Sequence, residues 1–122
     1  MNIKNLGKKG EELAADYLKR KGFQILERNF FLRAAHGPKI AEVDIVAKKR
    51  DTFVFVEVKT IKHYPKLNYL PQDKVNEQKL WKISKVAEFW LMKNKIPPFN
   101  IKWQIDVITV EIFNEEIGRA HV

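Results

Sequence analysis

A chain of 122 residues, 45% hydrophobic and 31% charged, is the size of one ordinary domain with enough apolar matter for a core. It holds no run of about 18 apolar residues, which excludes a membrane-spanning helix, and no cysteine, which excludes disulfides and thiolate metal sites. The formal net charge of +8 points to a polyanionic partner, since basic side chains gain affinity by releasing counterions from phosphates. The N-terminus lacks an apolar signal segment, so a cytoplasmic location is expected.

Leu6, Leu13, Ala14, Tyr17 and Leu18 recur at helical spacing and predict a helix over 6–21, stopped by Gly22. Residues 23–31 read as a strand and 34–39, with Gly37-Pro38, as a loop. A second strand is predicted over 40–48 and a third over 52–61, joined as a hairpin by a charged turn at 49–51. Residues 62–73 are irregular, with Pro65 and Pro71. A second helix over 74–94 carries Val75, Ile83, Val86, Ala87, Trp90 and Leu91 on one side and ends before Pro97-Pro98. A last strand is expected over 101–112. The order α-β-β-β-α-β implies an α/β fold, one mixed sheet with helices packed on it. A single domain is expected over 1–115. Residues 116–122, EIGRAHV, match a common sequencing adapter read in frame and are set aside as an artefactual or disordered tail.

The chemistry gathers at the ends of the hairpin strands. Glu57 and Lys59 are two residues apart, so they share a face with Phe53 and Phe55, about 6.6 Å apart along the strand. That face runs from apolar to ionic, as a strand does when it leaves a core for a cleft. Glu42 and Asp44 share a face of the preceding strand. Counting outward from Arg50 brings Asp44 nearly opposite Glu57, with a one-residue offset to absorb, and cross-strand neighbours sit about 5 Å apart. Two carboxylates that close repel unless a cation intervenes. Lys59 supplies one charge, and Mg²⁺, a hard ion that takes one or two carboxylates plus waters and phosphate oxygens, does so better. The alternative is a surface ion pair between Glu57 and Lys59, a common and weak feature. Glu11 aligns with Ala14, Ala15 and Leu18 on the first helix, which points it toward the sheet; a solvated acid near the helix start is the other reading. Lys79, Lys82, Lys85 and Lys93 form either a phosphate-contacting stripe or an ordinary solvated face. Trp81 lies off the apolar stripe and is available for stacking on bases, whereas Trp90 and Trp103 fit the core.

With these residues in view, the run from Gly7 to Asn29 ("GKKGEELAADYLKRKGFQILERN"), "EVDIVA" at 42–47 and "FVEVKT" at 55–60 resemble the YraN-like proteins, small bacterial proteins similar to Holliday-junction resolvases. These belong to the PD-(D/E)XK restriction-endonuclease-like superfamily. The resemblance spans about residues 5–112 and implies that superfamily's fold. It implies Asp44, Glu57, the Val58 carbonyl and Glu11 as ligands of Mg²⁺ or Mn²⁺, and Lys59 as the catalytic lysine beside Glu11, Asp44 and Glu57. It also implies Lys79 as a phosphate contact; Lys82 and Trp81 on the second helix and Lys62 at the start of the basic loop are expected on the same nucleic-acid surface from their charge, ring and position alone. The partner implied is DNA, bound by a homodimer on a two-fold junction. The sequence departs from the family at Ala41, where Gly is usual, and at Ile61, where Arg is frequent. Two other functions fit the same residues: a nuclease fold that binds DNA or RNA without cutting, and a scaffold whose acids make ordinary ion pairs.

Overall fold

A computed structural model describes residues 3–63, 76–113 and 117–121. The elements are α1 (Ile3–Arg20), β1 (Gln24–Arg33), β2 (Lys39–Lys49), β3 (Thr52–His63), α2 (Glu77–Lys93) and β4 (Lys102–Phe113), in the α-β-β-β-α-β order that the sequence predicts. A single 3-10 turn, Pro98–Asn100, precedes β4, and a short β5 (Ile117–His121) follows it. The strands form one mixed sheet in the order β1-β2-β3-β4-β5. All neighbours are antiparallel except β3 and β4, which are parallel. A parallel pair needs a crossover, and the segment containing α2 supplies it.

The two helices pack on opposite faces. Ala14, Ala15 and Leu18 of α1 bury against Ile45, Ala47, Val54, Val56 and Ile108. On the other face Ile83, Val86, Ala87, Trp90 and Leu91 of α2 cover Val46, Phe53 and Phe55. Strand alternation explains the split: Val54 and Val56 point one way, Phe53 and Phe55 the other. Trp90 anchors α2, with its ring centroid 5.9 Å from Phe53 and 5.8 Å from Phe55. Its indole N–H donates to Glu27 Oε1 at 2.8 Å. Trp90 is therefore a core residue, and Trp103, 5.7 Å from Phe55, packs on the same cluster.

Gly22 ends α1 as expected. It adopts φ 92°, and the Phe23 amide reaches back to the Leu18 carbonyl at 2.9 Å, closing the helix with a left-handed cap. Asn76 caps α2, its side chain accepting the Lys79 amide. The predicted start of that helix at 74–75, the residue Val75 and the irregular stretch at 64–73 lie outside the described residues. One difference concerns the tail: residues 117–121 pair with β4, Ile117 opposite Phe113 and His121 opposite Thr109. Among the described residues no helix is long and apolar enough to cross a membrane.

Candidate functional site

The site begins with the β2–β3 hairpin. Its ladder runs from Lys49↔Thr52 to Ile45↔Val56, leaving a two-residue turn, Arg50-Asp51. Arg50 takes φ 56°, the positive value such tight turns demand. The one-residue offset expected from counting about Arg50 alone is thereby absent: the turn has two centres, and one step past Ile45↔Val56 lie Asp44 and Glu57. There the backbone pairing stops. Asp44 Oδ2 instead accepts the Val58 amide at 2.7 Å, so the carboxylate lies between the two strands. A strand residue directs its C=O to the same side as its N–H. The Val58 carbonyl therefore also faces the mouth of the hairpin, where the resemblance places it as a ligand.

Phe53 and Phe55 face α2, and alternation puts Glu57 and Lys59 on that side. Glu57 is 8% exposed, the one buried charged residue among those described. A buried carboxylate is costly unless it is paired. Lys79, on the first turn of α2, places Nζ 2.7 Å from Glu57 Oε1, and Lys59 Nζ lies 3.8 Å from the same oxygen.

From the other face α1 brings Glu11. A Cβ on Gly10 would stand 1.8 Å from Thr60 Oγ1, so only glycine lets α1 lie this close to β3. Glu11 follows directly, and its Oε1 accepts the Asn29 side-chain amide at 2.6 Å. The same amide lies 3.2 Å from Glu42 Oε1, and Lys39 Nζ is 3.5 Å from Glu42 Oε2. Asn29 sits in β1 at φ 55°, a left-handed conformation that asparagine tolerates better than most residues. Glu12 is on the solvent side, paired with Arg28 at 2.6 Å.

These acids act on one another. Burial raises the Asp44 pKa to about 7, with the Glu57, Glu11 and Glu42 carboxylates adding to the rise and the Val58 hydrogen bond opposing it. Burial works to lower the Lys79 pKa, but its hydrogen bond to Glu57 and the nearby acids outweigh this and raise it. Three acids of the sequence reading, Glu11, Asp44 and Glu57, thus converge with Lys59 and Lys79 from four elements. Among the described residues no three Asp, Glu or His side chains are arranged to hold a metal ion together. Glu11 is engaged by Asn29. The oxygen atoms at the mouth of the hairpin, the Asp44 and Glu57 carboxylates and the Val58 carbonyl, are of the chemical kind a hard cation takes, and waters or phosphate oxygens would have to complete any such set.

The model of the Uncharacterised protein family UPF0102 matches residues 10–110. A UPF0102 protein of Campylobacter fetus subsp. fetus is 42% identical over 106 residues, 86% of this chain and 82% of its own. One from Fervidobacterium nodosum is 46% identical over 110 residues, 88% of this chain and 72% of its own. One from Clostridioides difficile is 39% identical over 118 residues, 97% and 95% of the two chains. The chain belongs to the UPF0102, or YraN, family.

The remaining predicted contacts of this UPF0102 chain fall on two sides of the sheet. Lys82 lies beside Lys79 on a groove of about 320 Å³ between Ile40–Glu42 of β2 and the start of α2. Trp81 is 61% exposed, with Lys85 Nζ 5.5 Å from its ring centroid. Lys62 shares the face of Val58 and Thr60, which is turned to α1, and so lies on the other side of β3 from Glu57 and Lys59. The sequence reading missed Gly10 and Asn29 as site builders. A glycine inside a helix pattern is a detectable sign of close approach; an asparagine inside a strand gives only a weak sign of a left-handed residue.

Proposed function

We propose that this UPF0102 chain is a metal-dependent endonuclease-like domain acting on phosphodiester bonds of branched or otherwise structured DNA. The observation that carries the reading is the Asp44 carboxylate turned onto the Val58 amide beside buried Glu57, with Lys59 two residues further along the same strand. A divalent cation held by Asp44, Glu57 and the Val58 carbonyl would supply Lewis-acid polarisation of a phosphoryl oxygen and a more acidic water. The chain's own groups then have distinct tasks. Asp44 must be ionised to hold a cation, and its burial, with a lesser push from the Glu57, Glu11 and Glu42 carboxylates, favours the protonated acid while no cation is bound. Lys59, whose Nζ lies 3.8 Å from Glu57 Oε1, would hydrogen-bond the attacking water or offset charge at phosphorus. The basic surface brings the strand to this pocket. A cytoplasmic, DNA-associated protein that pairs as a homodimer on a two-fold substrate fits the same reading.

The test is cleavage of four-way junction, flap and single-stranded DNA in Mg²⁺ or Mn²⁺. Cutting that disappears in Asp44→Asn and in Lys59→Ala supports the reading, and its absence on every substrate contradicts it. A second reading, a nuclease fold that binds nucleic acid without cutting, is favoured by the Lys79–Glu57 ion pair, which already satisfies the acid a cation needs. It predicts salt-sensitive binding that Glu57→Gln leaves intact or tightens.

A further inference from the structure

Glu57 is held by more cation than a spectator acid would need. Its Oε1 receives Lys79 at 2.7 Å and has Lys59 at 3.8 Å, while Asp44, a step across the hairpin, has no lysine within ion-pair distance among the described residues. Lys79 comes from α2, not from the hairpin, so its ammonium reaches in from outside the strand pair. Its backbone is fixed: the Lys79 amide donates to the Asn76 cap at 2.8 Å. The side chain is held at its tip, by the ion pair with Glu57. A lysine is a flexible four-carbon stem ending in a point charge, and this one borders the groove of about 320 Å³ that Lys82 also lines.

We propose that Lys79 is a displaceable counter-ion for Glu57, which neutralises the buried acid until a divalent cation takes it and then turns into the adjoining groove to meet a backbone phosphate. This rests on the nuclease-like reading above. A cation bound to Glu57 Oε1 and the Lys79 ammonium compete for the same lone pairs. The exchange keeps a positive charge beside Glu57 at every stage, so the acid is never left buried and unpaired. It also couples the two ligands. A phosphate that draws Lys79 away favours metal binding, and by linkage metal binding favours the phosphate. Lys79 is in this sense a positioning residue, acting through Glu57 on one side and through the nucleic-acid strand on the other.

The experiment is calorimetric titration of Mn²⁺ into wild type, Lys79→Met and Lys79→Arg without nucleic acid. Lys79→Met should bind about tenfold more tightly than wild type, the factor expected when a charge-assisted hydrogen bond no longer has to be broken, and Lys79→Arg should stay close to wild type. A purely structural lysine predicts the opposite direction, weaker binding in a loosened site. Unchanged or weaker binding in Lys79→Met, with wild type binding intact, overturns the exchange and leaves the nuclease-like reading standing. No binding in any of the three chains overturns both. Thermal unfolding with EDTA and then with Mn²⁺ covers a variant that folds poorly. Lys79→Met should melt lower than wild type in EDTA and gain more from Mn²⁺; equal gains overturn the proposal.

Discussion

Asp44 shows how far one residue's behaviour follows from its setting. Its identity as a candidate is legible in the sequence, because an acid beside the apolar run Ile45–Ala47 and nearly opposite a second acid asks for a cation. Its actual contact, the Val58 amide, is not, since it depends on where the ladder ends. The pKa of about 7 has a definite sign for stability. Between about pH 4 and 7 the folded chain binds the proton and the unfolded chain does not, so without metal Asp44 lowers stability progressively as pH rises through this window. Asp44→Asn keeps an acceptor for Val58 and removes the charge. It should raise stability at pH 8 in a chelator by about 2 kcal/mol, a discounted value for a shift of this size, and change it little at pH 4. Urea unfolding at the two pH values checks this; equal effects at both would contradict it.

At the scale of elements, the order of helices and strands was readable because each apolar pattern is clean: helical periods in α1 and α2, and a continuous run of β-forming residues, buried on both faces, in β3. Three features were not. The Arg50-Asp51 turn carries no glycine, so its two-residue length, and with it the exact register of Asp44 and Glu57, was hidden. Asn29 puts a left-handed residue inside β1 and delivers its amide to Glu11 and Glu42. Strand β5 lies in a stretch set aside on grounds unrelated to its physical chemistry. The approach of α1 to β3 is the element-scale feature that holds Glu11 in place. Gly10→Ala should push the helix off Thr60 and cost about 1–3 kcal/mol, the usual penalty of overpacking. Denaturant titration of Gly10→Ala and of Gly10→Ala/Thr60→Ala should show part of that loss recovered in the double variant, because Thr60 Oγ1 is the nearest clash. Additive losses would show that the helix had already moved elsewhere.

For the whole molecule the decisive quantities are charge and where it lies. A net charge of +8 predicts binding to DNA that weakens steeply with salt. Two positions on α2, half-buried Lys82 and exposed Trp81, should divide the effect. Lys82→Ala should lower the slope of log affinity against log salt by about 1, as for loss of one phosphate contact. Trp81→Ala should cost about 1–3 kcal/mol on substrates with unpaired bases and little on plain duplex. Fluorescence anisotropy across a salt series reads both, and identical losses on duplex and branched DNA would remove stacking from the account. Family membership sets the frame for these tests without fixing a reaction, because a fold hosts many chemistries and the site alone argues for one.

The most direct measurement is anomalous scattering from crystals soaked in Mn²⁺. The account predicts one strong peak at the mouth of the β2–β3 hairpin, about 2.0–2.3 Å from carboxylate oxygens of both Asp44 and Glu57, with Lys79 swung away from Glu57. A site with no peak, the Lys79–Glu57 pair intact and manganese bound only elsewhere would contradict it.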